Sequence, residues 1–507
     1  MKREPVGRWT GAPYLASAAT GLLLVVLFPA FHLALLAPLA LVPLLVALSR
    51  EPRPRRRFWL GCVAGWIFWG GTCYWIHGVL REHGRVPAAG ALALFVAFFL
   101  VKGLHLGVFG WLAGALLSRP RPWAAPAVAA VWTALEGSHP YTGFTWLMLG
   151  NAATDMAAIP RLAPLTGIGG LSFLLALMNA VVALTILRRP RVHLAWLLAA
   201  PALYLLPPLP GPERGRHMAR LVQPNISQSE IDSRPWTRER AQEFASRLIE
   251  LSSAEPAMAR WLDLIAWPEN PAPLYFYDDP IYRLRAESLA RQRQARLALS
   301  TVAFRDTERL EPLNSAVLLG PDGGQAARYD KIHLVPFGEF VPWPLGRLVQ
   351  KVTREAGDFV AGDRVVVAQA DGRRIGTFIC YESVFGGAVR QFVAGGAELL
   401  INLSNDGWFG RSAAREQHLL IARMRAMENA RWLLRATNTG VTAAIDPAGR
   451  IRASLAADRP AALDASFNYD SSVTPYARWG DWFWWLTVAG AWAAVAASRG
   501  GGIQYDG

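Results

Sequence analysis

Gly376-Thr377-Phe378-Ile379-Cys380-Tyr381-Glu382-Ser383 reads as a short buried strand that delivers a thiol at its end. The apolar run has strand length, and a helix-type segment at 386–394 begins just after it. Outward from this point, between Arg220 and Asp464, short β-type runs alternate with charge-rich amphipathic segments. Strands are expected at 219–224, 262–267, 295–303, 315–319, 374–379, 398–403, 432–437 and 442–445. Helices are expected at 238–251, 280–293, 386–394 and 416–431. Such alternation points to a layered α/β domain of about 250 residues. Pro321-Asp322-Gly323-Gly324 closes a hairpin within it.

Outside this region the chain changes character. Hydrophobic residues make up 52% of the 507 and charged residues 18%, which excludes a disordered, collagenous or disulfide-scaffold protein. No charge occurs between Tyr14 and Ser49, a stretch too long for one crossing at about 20 residues. It reads as two spans hinged near 29–32, followed by runs at 58–80, 88–117, 123–134, 162–187, 194–209 and 482–498. Eight crossings result. The first run continues into the second without a cleavage site, so the N-terminus is expected to stay attached.

Net charge is +14, and the distribution of basic residues explains it better than nucleic acid does. With a cytoplasmic N-terminus, fourteen Lys and Arg fall on inward segments, including Arg50, Arg53, Arg55, Arg56 and Arg57. Only Arg81, Arg85 and Arg161 fall on short outward connections, the asymmetry that orients helices during insertion. The polar region is then extracytoplasmic. Residues 1–209 form a membrane region, 210–478 the outer domain, and 479–507 a last span and tail. Trp479, Trp482, Phe483, Trp484 and Trp485 sit where that span enters the headgroup layer. Lys102 and His105 interrupt the fourth span, either paired inside the bundle or functional. The three cysteines are too scattered for a disulfide framework.

Three segments of the outer domain carry chemistry. Leu264-Ile265-Ala266-Trp267-Pro268-Glu269-Asn270 is a core strand ending in a carboxylate, a rigid mount for a general base. In Tyr329-Asp330-Lys331-Ile332-His333-Leu334-Val335-Pro336-Phe337-Gly338-Glu339 a lysine follows a strand and leads into an apolar loop. The third segment is the thiol strand. Singly, each has a bland reading: an inert core cysteine, a capping carboxylate, a solvated lysine. Together they supply a nucleophile, a base and a cation, the set needed for acyl transfer. The cation is expected to lower the thiol pKa and to hold the oxyanion.

These segments resemble the nitrilase superfamily with its Glu-Lys-Cys triad. Asn402-Leu403-Ser404-Asn405-Asp406-Gly407-Trp408-Phe409-Gly410 and Arg423-Met424-Arg425-Ala426-Met427-Glu428 narrow the resemblance to the bacterial apolipoprotein N-acyltransferases. It covers nearly the whole chain. It implies an α-helical membrane bundle of eight spans joined to a periplasmic nitrilase-like αββα sandwich, in the bacterial inner membrane. It further implies Glu269 as general base, Lys331 as oxyanion-stabilising cation and Cys380 as nucleophile. Trp236, Glu339, Tyr381 and Glu382 carry over as supporting positions, Trp236 being open between a structural and a functional role. Glu339 and Glu382 are expected to orient Lys331 or steady its loop. A phospholipid acyl donor and a diacylglyceryl apolipoprotein acceptor are implied, with no metal, no cofactor and no nucleic acid, and with a monomer expected. The apolar loop 335–349, with Phe337, Phe340, Val341, Trp343 and Leu345, is expected either to dip into the outer leaflet or to pack on the domain's own core.

Two rivals remain. A membrane-tethered amide hydrolase would use the same triad, but one helix would anchor it. A non-catalytic lipid-binding or transport scaffold would tolerate a broken triad, and all three members are present.

Overall fold

The computed structural model describes residues 11–84, 86–118, 121–227, 230–231, 233–255, 261–269, 274–306, 308, 311–336, 338–340 and 359–499. Twelve strands form two six-stranded sheets among these residues. The strands are β1 (His217–Gln223), β2 (Leu264–Ala266), β3 (Arg296–Asp306), β4 (Glu311–Leu319), β5 (Gln325–Asp330), β6 (Val367–Ala370), β7 (Arg373–Ile379), β8 (Leu399–Ser404), β9 (Leu433–Thr437), β10 (Thr442–Ile445), β11 (Ile451–Leu455) and β12 (Ala461–Phe467). One sheet runs β12-β1-β2-β3-β4-β5 and the other β11-β10-β9-β8-β7-β6.

The sheets face each other, β4 over β7 and β1 over β9 and β10. Helices Arg238–Ser253 and Pro280–Arg293 cover the outside of the first, and Gly386–Ala394 and Ala414–Asn429 the outside of the second. This is the four-layer αββα sandwich. Phe244, Leu248 and Leu289 of the first helix pair are buried with Ile265, Leu297 and Leu299 of β2 and β3, the apolar packing that sets that layer. Arg296 at the start of β3 crosses between the sheets, donating to the Ala370 carbonyl at 3.1 Å and the Asp371 carboxylate at 2.8 Å.

All eight expected strands occur, each within a few residues of its expected bounds, and the four strands without expected bounds are β5, β6, β11 and β12. They are the four sheet edges. An edge strand has one solvated side, so Ile451-Arg452-Ala453-Ser454-Leu455 need not carry the apolar pattern that marks a central strand. Only the hairpin turn before Lys331 implied β5.

The N-terminal apolar region packs as a helical bundle. Among the described residues two helices, Ala88–Ser118 and Ile168–Ile186, are long and apolar enough to cross a membrane, and shorter apolar helices occupy Ala12–Val26, Ala34–Arg50, Ala124–Glu136 and Arg191–Leu205. The run expected as a seventh span, 194–209, is helical as far as Leu205, in 3-10 turns on either side of a short α-helical segment, Ala199–Ala202. Leu15, Leu35, Val101 and Leu205 are large apolar side chains exposed on this bundle. Helix Pro54–Thr72 crosses helix Ala88–Ser118 closely at Gly61, where a Cβ would stand 2.0 Å from the Leu106 carbonyl oxygen. Lys102 is buried in this bundle, its Nζ 2.9 Å from His139 Nδ1 and 2.8 Å from the Phe144 carbonyl. Trp482 and Trp484 donate to the Leu165 and Ala134 carbonyls and seat the last helix against the bundle.

Candidate active site

Cys380 directly follows β7 in a left-handed conformation, φ +49°, where a residue with a Cβ sits at a cost of about 1–3 kcal/mol. The chain turns there into the short 3-10 segment Cys380–Val384 before helix Gly386–Ala394, so the thiol projects from the strand's end. Buried Glu382 fastens the turn. Its Oε2 accepts from the Ile379 N–H at 2.9 Å, while Oε1 accepts from the Tyr329 hydroxyl at 2.6 Å and the Ile332 and His333 N–H groups at 2.8 and 3.1 Å. One carboxylate thereby ties the end of β7 to the loop that follows β5. Burial raises the Glu382 pKa above the ordinary carboxylate value, against the pull of these donors.

Lys331 leaves β5 into a buried cluster. Its Nζ stands 3.2 Å from Glu269 Oε1 and 3.0 Å from Glu339 Oε1. Asn314 on β4 donates to both carboxylates, at 2.9 and 2.7 Å. Glu269 Oε2 accepts from the Asn405 N–H at 3.1 Å, just past β8, and Glu339 Oε2 from the Val335 N–H at 2.8 Å. Burial alone would lower the Lys331 pKa, but Glu269 and Glu339 outweigh it and hold the ammonium above the ordinary lysine value. The site therefore carries a permanent cation, lodged where parallel strands of both sheets end, the usual place for ligands in such folds.

The thiol departs from expectation. Burial pushes the Cys380 pKa above the ordinary thiol value, the charge of Glu269 pushes it further, and Lys331 opposes them only in part. Desolvation of a thiolate outweighs one nearby ammonium that two carboxylates already engage. The resting sulfur is a neutral thiol, which needs a base. Iodoacetamide labelling of Cys380 is accordingly expected to be slow at about pH 7 and to keep climbing towards about pH 10. A plateau reached by about pH 8 would show a thiolate held by Lys331 instead.

Behind the thiol lies a polar group that the sequence did not single out. His418 Nε2 is 3.2 Å from the Cys380 carbonyl, and its Nδ1 is 3.0 Å from Asp406 Oδ1. Arg435 on β9 donates to both Asp406 oxygens, at 2.9 and 2.7 Å, and also to Asn402. Asp406 is fully buried, which by itself raises its pKa; Arg435 and His418 reverse that and hold it well below the ordinary carboxylate range. The Asn402–Gly410 motif contained Asp406, but nothing local distinguishes it from a loop cap.

The N-terminal helical bundle reaches this site directly. Tyr381 donates to the Thr145 carbonyl at 3.2 Å, and its ring stacks near Trp146 and Phe144 with centroids 6.4 Å away in each case. Trp146 donates to Gln417 at 2.7 Å, and Gln417 donates to the Pro29 and Thr72 carbonyls. Glu269, Lys331, Glu339, Cys380, Tyr381 and Glu382 thus share one neighbourhood. Trp236 does not join it through any ring contact among the described residues: it is partly exposed, stacks on Phe244 at 5.6 Å and lies 5.8 Å from the Arg240 guanidinium. Asn270, Phe337 and the loop from Val341 to Val349, with Trp343 and Leu345, lie outside the described residues.

Two family profiles match the chain: carbon-nitrogen hydrolase over residues 218–466, and apolipoprotein N-acyltransferase N-terminal domain over residues 20–181. An apolipoprotein N-acyltransferase of Geobacter metallireducens is 36% identical over 513 residues, covering 96% of this chain and 94% of its own. One from Azotobacter vinelandii is 35% identical, with 94% of each chain covered. Among solved structures, an amidase from Nesterenkonia sp. is 19% identical, covers 50% of this chain and 92% of its own, and has a TM-score of 0.37.

Proposed function

The chain belongs to the apolipoprotein N-acyltransferase family, and on that premise we propose that Cys380, Glu269 and Lys331 carry its reaction as nucleophile, base and oxyanion-stabilising cation. The enzyme transfers a fatty acyl chain from a glycerophospholipid to the N-terminal α-amine of diacylglyceryl-cysteine in apolipoproteins. In the first half-reaction Glu269 takes the Sγ proton as sulfur bonds to the ester carbonyl carbon. The oxyanion of the tetrahedral intermediate is held by Lys331. Collapse breaks the ester C–O bond, the proton on Glu269 passes to the departing alkoxide, and a lysophospholipid leaves a thioester on Cys380. In the second half the free amine attacks that thioester, Glu269 receives its proton, and the thiol is regenerated as the amide forms.

The observation that carries this reading is the buried contact of Lys331 Nζ with Glu269 at 3.2 Å, beside a thiol that needs a base. Glu339 and Glu382 act through Lys331 and through the turn. We place the 210–478 domain on the periplasmic face of the inner membrane, with eight crossings in 1–209 and 479–507; the uneven distribution of basic residues supports this orientation. The hydrogen bond from Tyr381 to Thr145 supports a site fed with lipid from the bundle. An amide hydrolase with the same triad would have no use for that junction.

The test supplies purified protein with phospholipid and no acceptor. An acyl chain is expected to accumulate on Cys380, to be released by neutral hydroxylamine, and to be discharged as amide by a diacylglyceryl peptide with a free N-terminal amine. The N-acetylated peptide is expected to leave it intact, since its nitrogen lone pair is delocalised. Turnover to free fatty acid as fast as to amide would replace the transferase with the hydrolase.

A further inference from the structure

The end of the bundle opposite the candidate active site holds a second polar feature. Helix Pro54–Thr72 touches the catalytic domain at its C-terminal end, where Thr72 accepts from Gln417, and carries Arg57 near its N-terminal end. Fifteen residues at about 1.5 Å each separate the two by about 22 Å, most of a hydrocarbon core about 30 Å thick. Arg57 is 6% exposed. A buried cation at a span's end is costly unless something pairs with it.

No carboxylate is within ion-pair distance of it among the described residues. The Arg57 stem crosses helix Ala88–Ser118 at Gly114, where a Cβ would lie 2.4 Å from Arg57 Cδ. Its Nε donates to the Glu51 carbonyl at 2.7 Å, while its Nη groups have no hydrogen-bond partner among the described residues. Arg57 lines a cavity of about 610 Å³ together with Arg50, Trp111, Ser118 and Ser498. Glu51 also borders it, but its carboxylate already accepts from the Arg53 N–H at 2.9 Å and lies 3.8 Å from Arg56. The first turn of helix Pro54–Thr72 adds N–H groups that lack helical partners. Exposed Trp59 and Trp111 on the helices around it belong to an interfacial layer.

We propose that this cavity binds the phosphodiester of an anionic phospholipid from the leaflet opposite the catalytic domain, with Arg57 and Arg50 as its ligands. A guanidinium with free Nη donors matches two phosphate oxygens at once. The exposed Arg50 at the mouth supplies the second positive charge, which a monoanionic headgroup rewards and a zwitterionic one offsets. The bound lipid is structural; its ester bonds lie far from Cys380.

Thermal unfolding of the full-length protein in neutral detergent tests this with three probes: ether-linked phosphatidylglycerol, ether-linked phosphatidylcholine and inorganic phosphate. Ether linkages prevent acylation of Cys380. Ether-linked phosphatidylglycerol is expected to raise Tm saturably in wild type, and Arg57→Gln and Arg50→Gln each to weaken that effect by about tenfold or more. Acyl transfer in both variants is expected to stay at the wild-type rate. An equal shift from phosphatidylcholine or inorganic phosphate would overturn the proposal, as would undiminished phosphatidylglycerol stabilisation in the variants. If Arg57→Gln does not fold, Arg50→Gln decides alone, because its side chain is exposed.

Discussion

Lys331→Ala is expected to lower acyl transfer by well over about 100-fold, because the change removes the oxyanion's cation and disables the base together. Glu269 and Glu339 both touch Lys331 Nζ and share the Asn314 amide, so without the ammonium two buried carboxylates face each other. Like charges at that separation cannot both persist, and one carboxyl takes up a proton. The Lys331→Met, Glu339→Gln double variant separates the two losses. Removing the second carboxylate is expected to restore the folded yield and thermal stability, since the cluster's net charge returns to that of the wild type, while activity stays at the level of the single variant. Recovery of turnover in the double variant would mean that Lys331 serves only to neutralise the site. Cys380→Ala and Glu269→Gln are expected to be as inactive as Lys331→Ala, whereas Glu339→Gln and Glu382→Gln alone retain part of the rate. Mass spectrometry of the N-acylated lipopeptide product reads all five. Near-normal turnover in Cys380→Ala would end the covalent mechanism.

Asp406→Asn is expected to destabilise the catalytic domain by about 3–5 kcal/mol, the cost of leaving a buried arginine without its carboxylate. Both Arg435 and Asp406 are fully buried, so no water can take the partner's place. His418 loses its contact with Asp406 as well, and with it part of what holds the ring beside the Cys380 carbonyl. Acyl transfer is therefore expected to fall even in protein that remains folded. The pH dependence has a definite sign. Asp406 is held below the ordinary carboxylate range, so its stabilising contribution is complete above an unfolded value of about 4 and declines as pH falls through that range towards the folded value. The gap in Tm between wild type and Asp406→Asn is expected to be widest near neutral pH and to narrow in acid. A gap that did not change with pH would mean that the carboxylate's charge is not what holds Arg435.

Much of this protein was decided by local chemistry and is legible residue by residue. The apolar runs mark the helical bundle. The short buried strands mark a layered α/β domain, because a central strand covered on both faces must be apolar along its length. The ends of β2 and β7 deliver Glu269 and Cys380, side chains that follow core strands and are visible without a structure, whereas Lys331 follows the edge strand β5, which only the hairpin turn implied.

Tertiary structure decided what depends on partners distant in the chain. The Asn405 N–H meets Glu269 across 136 positions, and Asn314 joins two carboxylates that lie 45 and 25 positions from it. The same is true of the edge strands, whose register comes from a neighbour rather than from their own pattern, as in the pairing of Met218 with Ser466. The protonation of Cys380 belongs here too: one lysine in the sequence argued for a thiolate, yet how deeply sulfur is buried and how far two glutamates engage that lysine exist only once both sheets have closed on each other. Local pattern is set by the side of each element that must be dry, whereas a buried charge answers to every group packed around it.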